Sequence, residues 1–144
     1  MYFVDREKLE ITLVFLEKQI SLFLSQEHWS TPVEKAALER ITHLIIESLL
    51  DVGNSIIDGF IMRDPGSYDD IIDILMDEKV IDAEAGKSLK ILIQKRKVLV
   101  QLYTDIDHID LQKQFADHMK VLERFPKNVR DYLANELGPV SAFN

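Results

Sequence analysis

No cysteine occurs among the 144 residues. That removes disulfides, thiolate metal sites and a cysteine nucleophile together, and suits a reducing compartment. Glycine and proline are scarce, at five and four, and Val, Ile and Thr never alternate with polar residues over a long run. Helix is therefore expected nearly everywhere. No apolar run approaches the roughly 20 residues that span a bilayer, and the start, Met1-Tyr-Phe-Val-Asp-Arg-Glu-Lys, lacks a basic region followed by an apolar one. The expectation is a soluble cytoplasmic protein without membrane contact. Positive charge is also in deficit, 17 Lys and Arg against 25 Asp and Glu for a net charge of −8, which argues against non-specific coating of nucleic acid. The bases present are gathered: Lys87, Lys90, Lys95, Arg96 and Lys97 share one segment, while acids dominate Asp69 to Glu84. A basic strip on an acidic body can still hold a phosphate backbone locally.

Apolar residues make up 47% and charged residues 29%, ordinary for one globular domain spanning residues 1–144. A first helix is expected from about Asp5 to Leu24, with Leu9, Leu13, Leu16, Ile20 and Phe23 inward. The second opens with Thr31 as N-cap, Pro32 at the first helical position and Glu34 completing a capping box. Its stripe Leu38, Ile41, Ile45, Leu49, Val52, Ile56, Phe60 keeps 3/4 spacing for almost thirty residues, and Gly53 and Gly59 only weaken it. Arg63-Asp64-Pro65-Gly66 makes a turn, and Ser67 caps a short helix from about Tyr68 to Glu78. Asp82 caps a fourth helix expected to end near Tyr103. A fifth carries Leu111, Phe115, Met119, Leu122 and Phe125, is kinked or split at Pro126, and stops at Gly138-Pro139; the tail Val140 to Asn144 has no pattern. The fold class expected is all-α: an antiparallel up-and-down bundle of four long helices and one short one.

One residue breaks the apolar pattern. The fourth helix has the seam Ala85, Leu89, Leu92, Arg96, Leu99, Tyr103, and an arginine stands where packing asks for Leu or Ile. An unpaired buried guanidinium costs several kcal/mol, roughly, so Arg96 must be paired or line a cavity that receives an anion. Tyr103, about 700° further round, falls on the same face roughly 10 Å along. The second helix offers a facing polar stripe, Arg40, His43, Glu47, Asp51, Asn54, Asp58. It is either a solvated face or a wall from which Asp51 or Glu47 grips Arg96 in a bidentate fork, with Asn54 as a further polar contact. A di-iron bundle needs Glu-x-x-His motifs, and none of His28, His43, His108 or His118 has a Glu three residues before it. No phosphate-cradling Gly-rich loop and no nucleophile elbow occurs either.

Arg96, Lys97, Gln101 and Tyr103, on the penultimate long helix, resemble the motif of the HepT-like branch of the HEPN superfamily: Arg, four residues, His, one residue, Tyr, often with Asn directly after the Arg. Here Gln101 stands at the His position and Lys97 at the Asn position. The similarity extends over nearly the whole chain, including Ile46-Glu47, Leu99-Val100, Asp58 to Ile71 (DGFIMRDPGSYDDI) and Glu136 to Phe143 (ELGPVSAF). It implies a homodimeric, metal-independent endoribonuclease without cofactor, the toxin of a toxin–antitoxin pair. It also implies an antitoxin nucleotidyltransferase that adds AMP to the motif tyrosine, Tyr103. The implied site is Arg96, Gln101 and Tyr103, with Lys97, Lys95 and Asn54 as RNA contacts and Asp51 or Glu47 orienting the arginine. Arg96 can stabilise charge on a phosphate in the transition state. Gln101 cannot exchange a proton near neutral pH, so the general acid–base contribution of a His, ~10²–10⁴-fold, is missing from this position. Residues 96 and 101 are about 500° apart on a regular helix and would not share a face. Either a two-fold dimer brings them together or the helix loosens before Tyr103. A non-catalytic partner- or RNA-binding module, and a purely structural bundle with Arg96 salt-bridged to an acid of the second helix, are the alternatives.

Overall fold

The computed structural model describes residues 4–138; Pro139 and the tail Val140 to Asn144, part of the ELGPVSAF ending, lie outside them. Six helices follow one another: α1 (Arg6–Leu24), α2 (Pro32–Gly59), α3 (Tyr68–Asp77), α4 (Ala83–Val100), α5 (His108–Asp117) and α6 (Met119–Leu137). Short connections between helices that pack on their neighbours give the up-and-down bundle. The long α2 is its centre and touches α1, α3, α4 and α5, while α6 closes the bundle against α1.

Local chemistry sets most of the helix starts. Asp5, Ser67, Asp82 and Asp107 each accept a backbone N–H three residues on. Thr31 and Glu34 form the reciprocal pair of a capping box, at 3.2 and 2.9 Å. At the other end, Gly138 stops α6 with a φ of 74°, a left-handed conformation that glycine adopts without a Cβ penalty.

Packing explains the glycine in the middle of α2. A Cβ on Gly53 would sit 2.6 Å from Cγ2 of Ile71 in α3, so the missing side chain lets the two helices approach. The core runs through Leu13, Leu16, Leu38, Ile45, Leu49 and Ile56 and reaches Phe115 and Phe125, all fully enclosed. Arg130 of α6 forks onto Glu10 and Glu17 of α1, with contacts of 2.6 and 2.9 Å.

Two boundaries depart from the sequence reading. The last helical stretch is divided at His118, the end residue shared by α5 and α6, whereas Pro126 lies inside α6. A proline forfeits one hydrogen bond in a helix. Here Phe125, Pro126 and Val129 are all buried, and that packing outweighs the loss. The division makes a short helix of 10 residues and a long one of 19 in place of one. The second departure is α4, which ends at Val100 rather than near Tyr103, with Gln101 as its C-cap.

Candidate functional site

α4 is buried through Ala85, Gly86, Leu89, Leu92 and Ile93. Beyond Ile93 it emerges from the core. Val100, Leu102 and Tyr103 are exposed, Tyr103 to 64%. The apolar seam expected to reach Tyr103 therefore stops short, and Arg96 stands at the rim of the core rather than within it.

The guanidinium is held on two sides. Its Nε donates to Oε1 of Glu47 on α2 at 2.6 Å, and its carbon lies 4.6 Å above the ring of Tyr68, the first residue of α3. A cation over an aromatic face is worth about 0.5–2 kcal/mol according to its desolvation. The hydrogen bond it donates to Glu47 is the chief cause that raises the guanidinium's pKa above its ordinary value, against the opposing effect of partial burial. Among the described residues, neither η nitrogen of Arg96 makes a hydrogen bond. Three elements thus fix the plane of a cation whose two outer nitrogens remain open.

Arg96, Lys97 and Gln101 line a single cleft of about 690 Å³ with Ser67, Tyr68, Asp69, Ile93 and Gln94. The 500° separation expected of a regular helix does not keep Arg96 and Gln101 apart. The N–H of Gln101 still bonds the carbonyl of Lys97, as in a regular helix, and that of Leu102 bonds the same carbonyl, so the turn widens only after Gln101; a single chain lines the cleft with all three side chains.

The other sequence candidates lie elsewhere. Lys95 donates to Asp110 of α5 at 2.9 Å and lies outside the cleft lining. Asp51, one turn beyond Glu47, is exposed. Partial desolvation, then the charge of Glu47, raises its carboxyl above the ordinary range, while Lys8 of α1 opposes this. Arg96 takes Glu47 alone, through Nε rather than a bidentate fork. Asn54 lies seven residues from Glu47, roughly 10 Å along α2, and is exposed. Tyr103 is outside the cleft lining, because α4 ends before reaching it. The basic strip is also thinner than the sequence suggests, since Lys90 pairs with Asp73 and Lys95 with Asp110. Lys97 is exposed and in no ion pair among the described residues.

Tyr68 is the residue that pattern reading missed. It appeared as the first residue of a short helix, and only the packing of α3 on α4 reveals the ring beneath Arg96. Its position depends on a tight turn: Asp70 accepts from both η nitrogens of Arg63 at 2.7 and 2.8 Å and from the N–H of Gly66 at 2.8 Å. Those bonds, Arg63 first, hold the Asp70 carboxyl down at about 2. No three His, Asp or Glu side chains come together as metal ligands among the described residues.

Comparison with known proteins fits this geometry. The family model described as ribonuclease HepT-like matches residues 15–129. A protein of Bacillus subtilis (strain 168) named "Putative RNase YutE" is 57% identical over 143 residues, 99% of each chain. This chain belongs to the ribonuclease HepT-like family. A solved structure of YutE from Bacillus subtilis, described as a cytosolic protein of unknown function, superposes with a TM-score of 0.95 over 99% of this chain and 100% of that one. A structure described as a toxin–antitoxin with AMP-PNP shares the fold, with a TM-score of 0.72 at 16% identity over 86% of this chain and 96% of that one. No helix among the described residues is long and apolar enough to cross a membrane.

Proposed function

We infer that this HepT-like protein is an endoribonuclease of the toxin class that cuts RNA in the cytoplasm without a metal ion. The observation that carries the reading is Arg96, anchored by Glu47 and Tyr68 with both outer nitrogens open to a cleft that also holds Lys97 and Gln101. A held, always charged guanidinium lining a cleft, with no hydrogen bond on its outer nitrogens, matches the planar oxygens of a phosphodiester. In this reading Arg96 binds the scissile phosphate and stabilises the charge that grows on it. Lys97 adds a second positive charge, and the Gln101 amide donates to a phosphoryl oxygen. Glu47 positions Arg96. The family motif supports the assignment of Arg96, Gln101 and Tyr103, and the toxin–antitoxin neighbour supports an antitoxin partner, which would be a nucleotidyltransferase adding AMP to Tyr103. The exposure of Tyr103 suits a side chain modified by another protein. The apolar edge Val100, Leu102 and Tyr103 beside the cleft supports pairing with a second copy. Lys95, Asn54 and Asp51 have no direct part in this site.

Gln101 favours one other reading: a binding module of the same fold that holds RNA or a partner without cutting. End-labelled single-stranded RNA incubated with the protein in EDTA separates the two. The ribonuclease reading expects cleavage that Arg96→Ala lowers at least 10²-fold, roughly the loss on removing one stabilising donor. Cleavage by Gln101→His alone would leave the present chain as the binding module, and equal cleavage by the Arg96→Ala protein would remove Arg96 from the site.

A further inference from the structure

The reaction proposed above needs a group that takes a proton from a ribose 2′-hydroxyl, and the motif position for it is occupied by an amide. The fold brings an imidazole to the same arginine from another helix. His43 lies one turn before Glu47 on α2, and its Nε2 is 3.3 Å from Glu47 Oε1, the oxygen that also receives Arg96 Nε at 2.6 Å. Since both nitrogens meet one oxygen, His43 Nε2 and Arg96 Nε are at most about 6 Å apart. The His43 side chain is 27% exposed; it lies beside Arg96 through Glu47, outside the cleft lining itself.

We propose that His43 is the general base of this chain, paired with Glu47 and acting on the nucleotide whose phosphate Arg96 holds. The proposal rests on the ribonuclease reading and names a residue outside the family motif. With Nε2 3.3 Å from the Glu47 carboxylate, an ion-pair distance rather than a formed hydrogen bond, Nδ1 is the nitrogen free to take the proton. In the step, Nδ1 takes the 2′-hydroxyl proton and the 2′-oxygen bonds to phosphorus. The bond from phosphorus to the 5′-oxygen breaks, and the leaving oxygen takes a proton from water. The products are a 2′,3′-cyclic phosphate and a 5′-hydroxyl. Glu47 thereby serves two partners at once, Arg96 for the phosphate and His43 for the proton.

The other histidines are placed differently. His108 of α5 forms a closer carboxylate pair, Nε2 to Glu39 Oε2 at 2.7 Å, but Glu39 is eight residues from Glu47, about 12 Å along α2. That exceeds the distance between a 2′-hydroxyl and its own phosphate. The charged groups around His43 are Glu39 and Glu47, one turn to either side on α2, and Arg96 from α4; from α5, His108 is tied to Glu39.

The test measures single-turnover cleavage of labelled RNA in EDTA from pH 5 to 9 for the full chain, His43→Gln, Gln101→His and the double variant, with RNA affinity and melting temperature measured alongside. His43→Gln should keep its fold and RNA affinity, cleave about 10²–10⁴-fold more slowly, and lose the rise of rate with pH that an imidazole base imposes; Gln101→His should restore part of the rate in the double variant. A merely structural contact would leave the pH profile unchanged in shape. Equal rates and pH profiles for the unmodified protein and His43→Gln would overturn the assignment and leave the ribonuclease reading standing. Cleavage by Gln101→His but not by the unmodified chain would overturn both, as would no cleavage by any of them.

Discussion

At the scale of single residues, one side chain out of pattern singles out the candidate site. Arg96 interrupts an apolar spacing, and an interruption of that kind needs a partner. Which partner was not legible, because Glu47 and Asp51 share a face of α2 and differ by one turn. The packing of α4 decides for Glu47, and Asp51 makes no contact with Arg96. Tyr68 was illegible for another reason: it is remote in sequence from Arg96 and belongs to a helix of 10 residues, so no periodicity connects the two. Its 48% exposure places a ring face where Arg96 and an unstacked base can both use it. Tyr68→Leu keeps apolar bulk but removes the π-face, and RNA affinity should fall about 2- to 5-fold, the equivalent of a modest cation–π contact. Unchanged affinity in a filter-binding titration would show that the ring serves only the fold.

At the scale of elements, the caps were the most readable feature. Thr31 with Glu34, Ser67, Asp82 and Asp107 all begin helices, though Asp107 was not among the caps read from the sequence. Helix ends were harder. α4 ends at Val100 with a widened turn in which the N–H of Leu102 returns to the carbonyl of Lys97; Gln101 lines the cleft and Tyr103, beyond that turn, does not. Pro126 does not split the last helix, since burial keeps it within α6; the division falls at His118 instead. The loop between α2 and α3 has a pH signature of its own. With its ordinary value of 3.8 lowered to about 2 by Arg63 and Gly66, Asp70 contributes stability that is fully present above the ordinary value and is lost as pH falls through about 2. Asp70→Asn should therefore melt lower than the unmodified protein at neutral pH. That gap should close between pH 3.8 and about 2 when thermal unfolding is followed by circular dichroism. A gap independent of pH would detach Asp70 from its ion pair.

At the scale of the whole molecule, the all-helical bundle followed from helix periodicity, scarce glycine and absent strand patterns. The order of the helices around α2 follows from short connections. What the chain could not show in one dimension is that an acidic body of net charge −8 keeps a small cationic opening. Most of its basic strip is neutralised by neighbours, Lys90 by Asp73, Lys95 by Asp110 and one face of Arg96 by Glu47. At the cleft the open charge is thereby confined to Lys97 and the outer nitrogens of Arg96, while Lys87, exposed and in no ion pair among the described residues, lies ten residues before Lys97 on α4. A molecule so arranged would engage RNA at one phosphate rather than along a track, as cutting requires and coating does not. The central claim is that the Arg96 fork, and not merely a positive charge, acts on that phosphate. Arg96→Lys tests it most directly, because lysine keeps the charge but cannot bond Glu47 and a phosphate in one rigid plane. In single-turnover cleavage of labelled RNA in EDTA, the account predicts that Arg96→Lys is slower by about 10²-fold; a rate equal to that of the unmodified protein would contradict it.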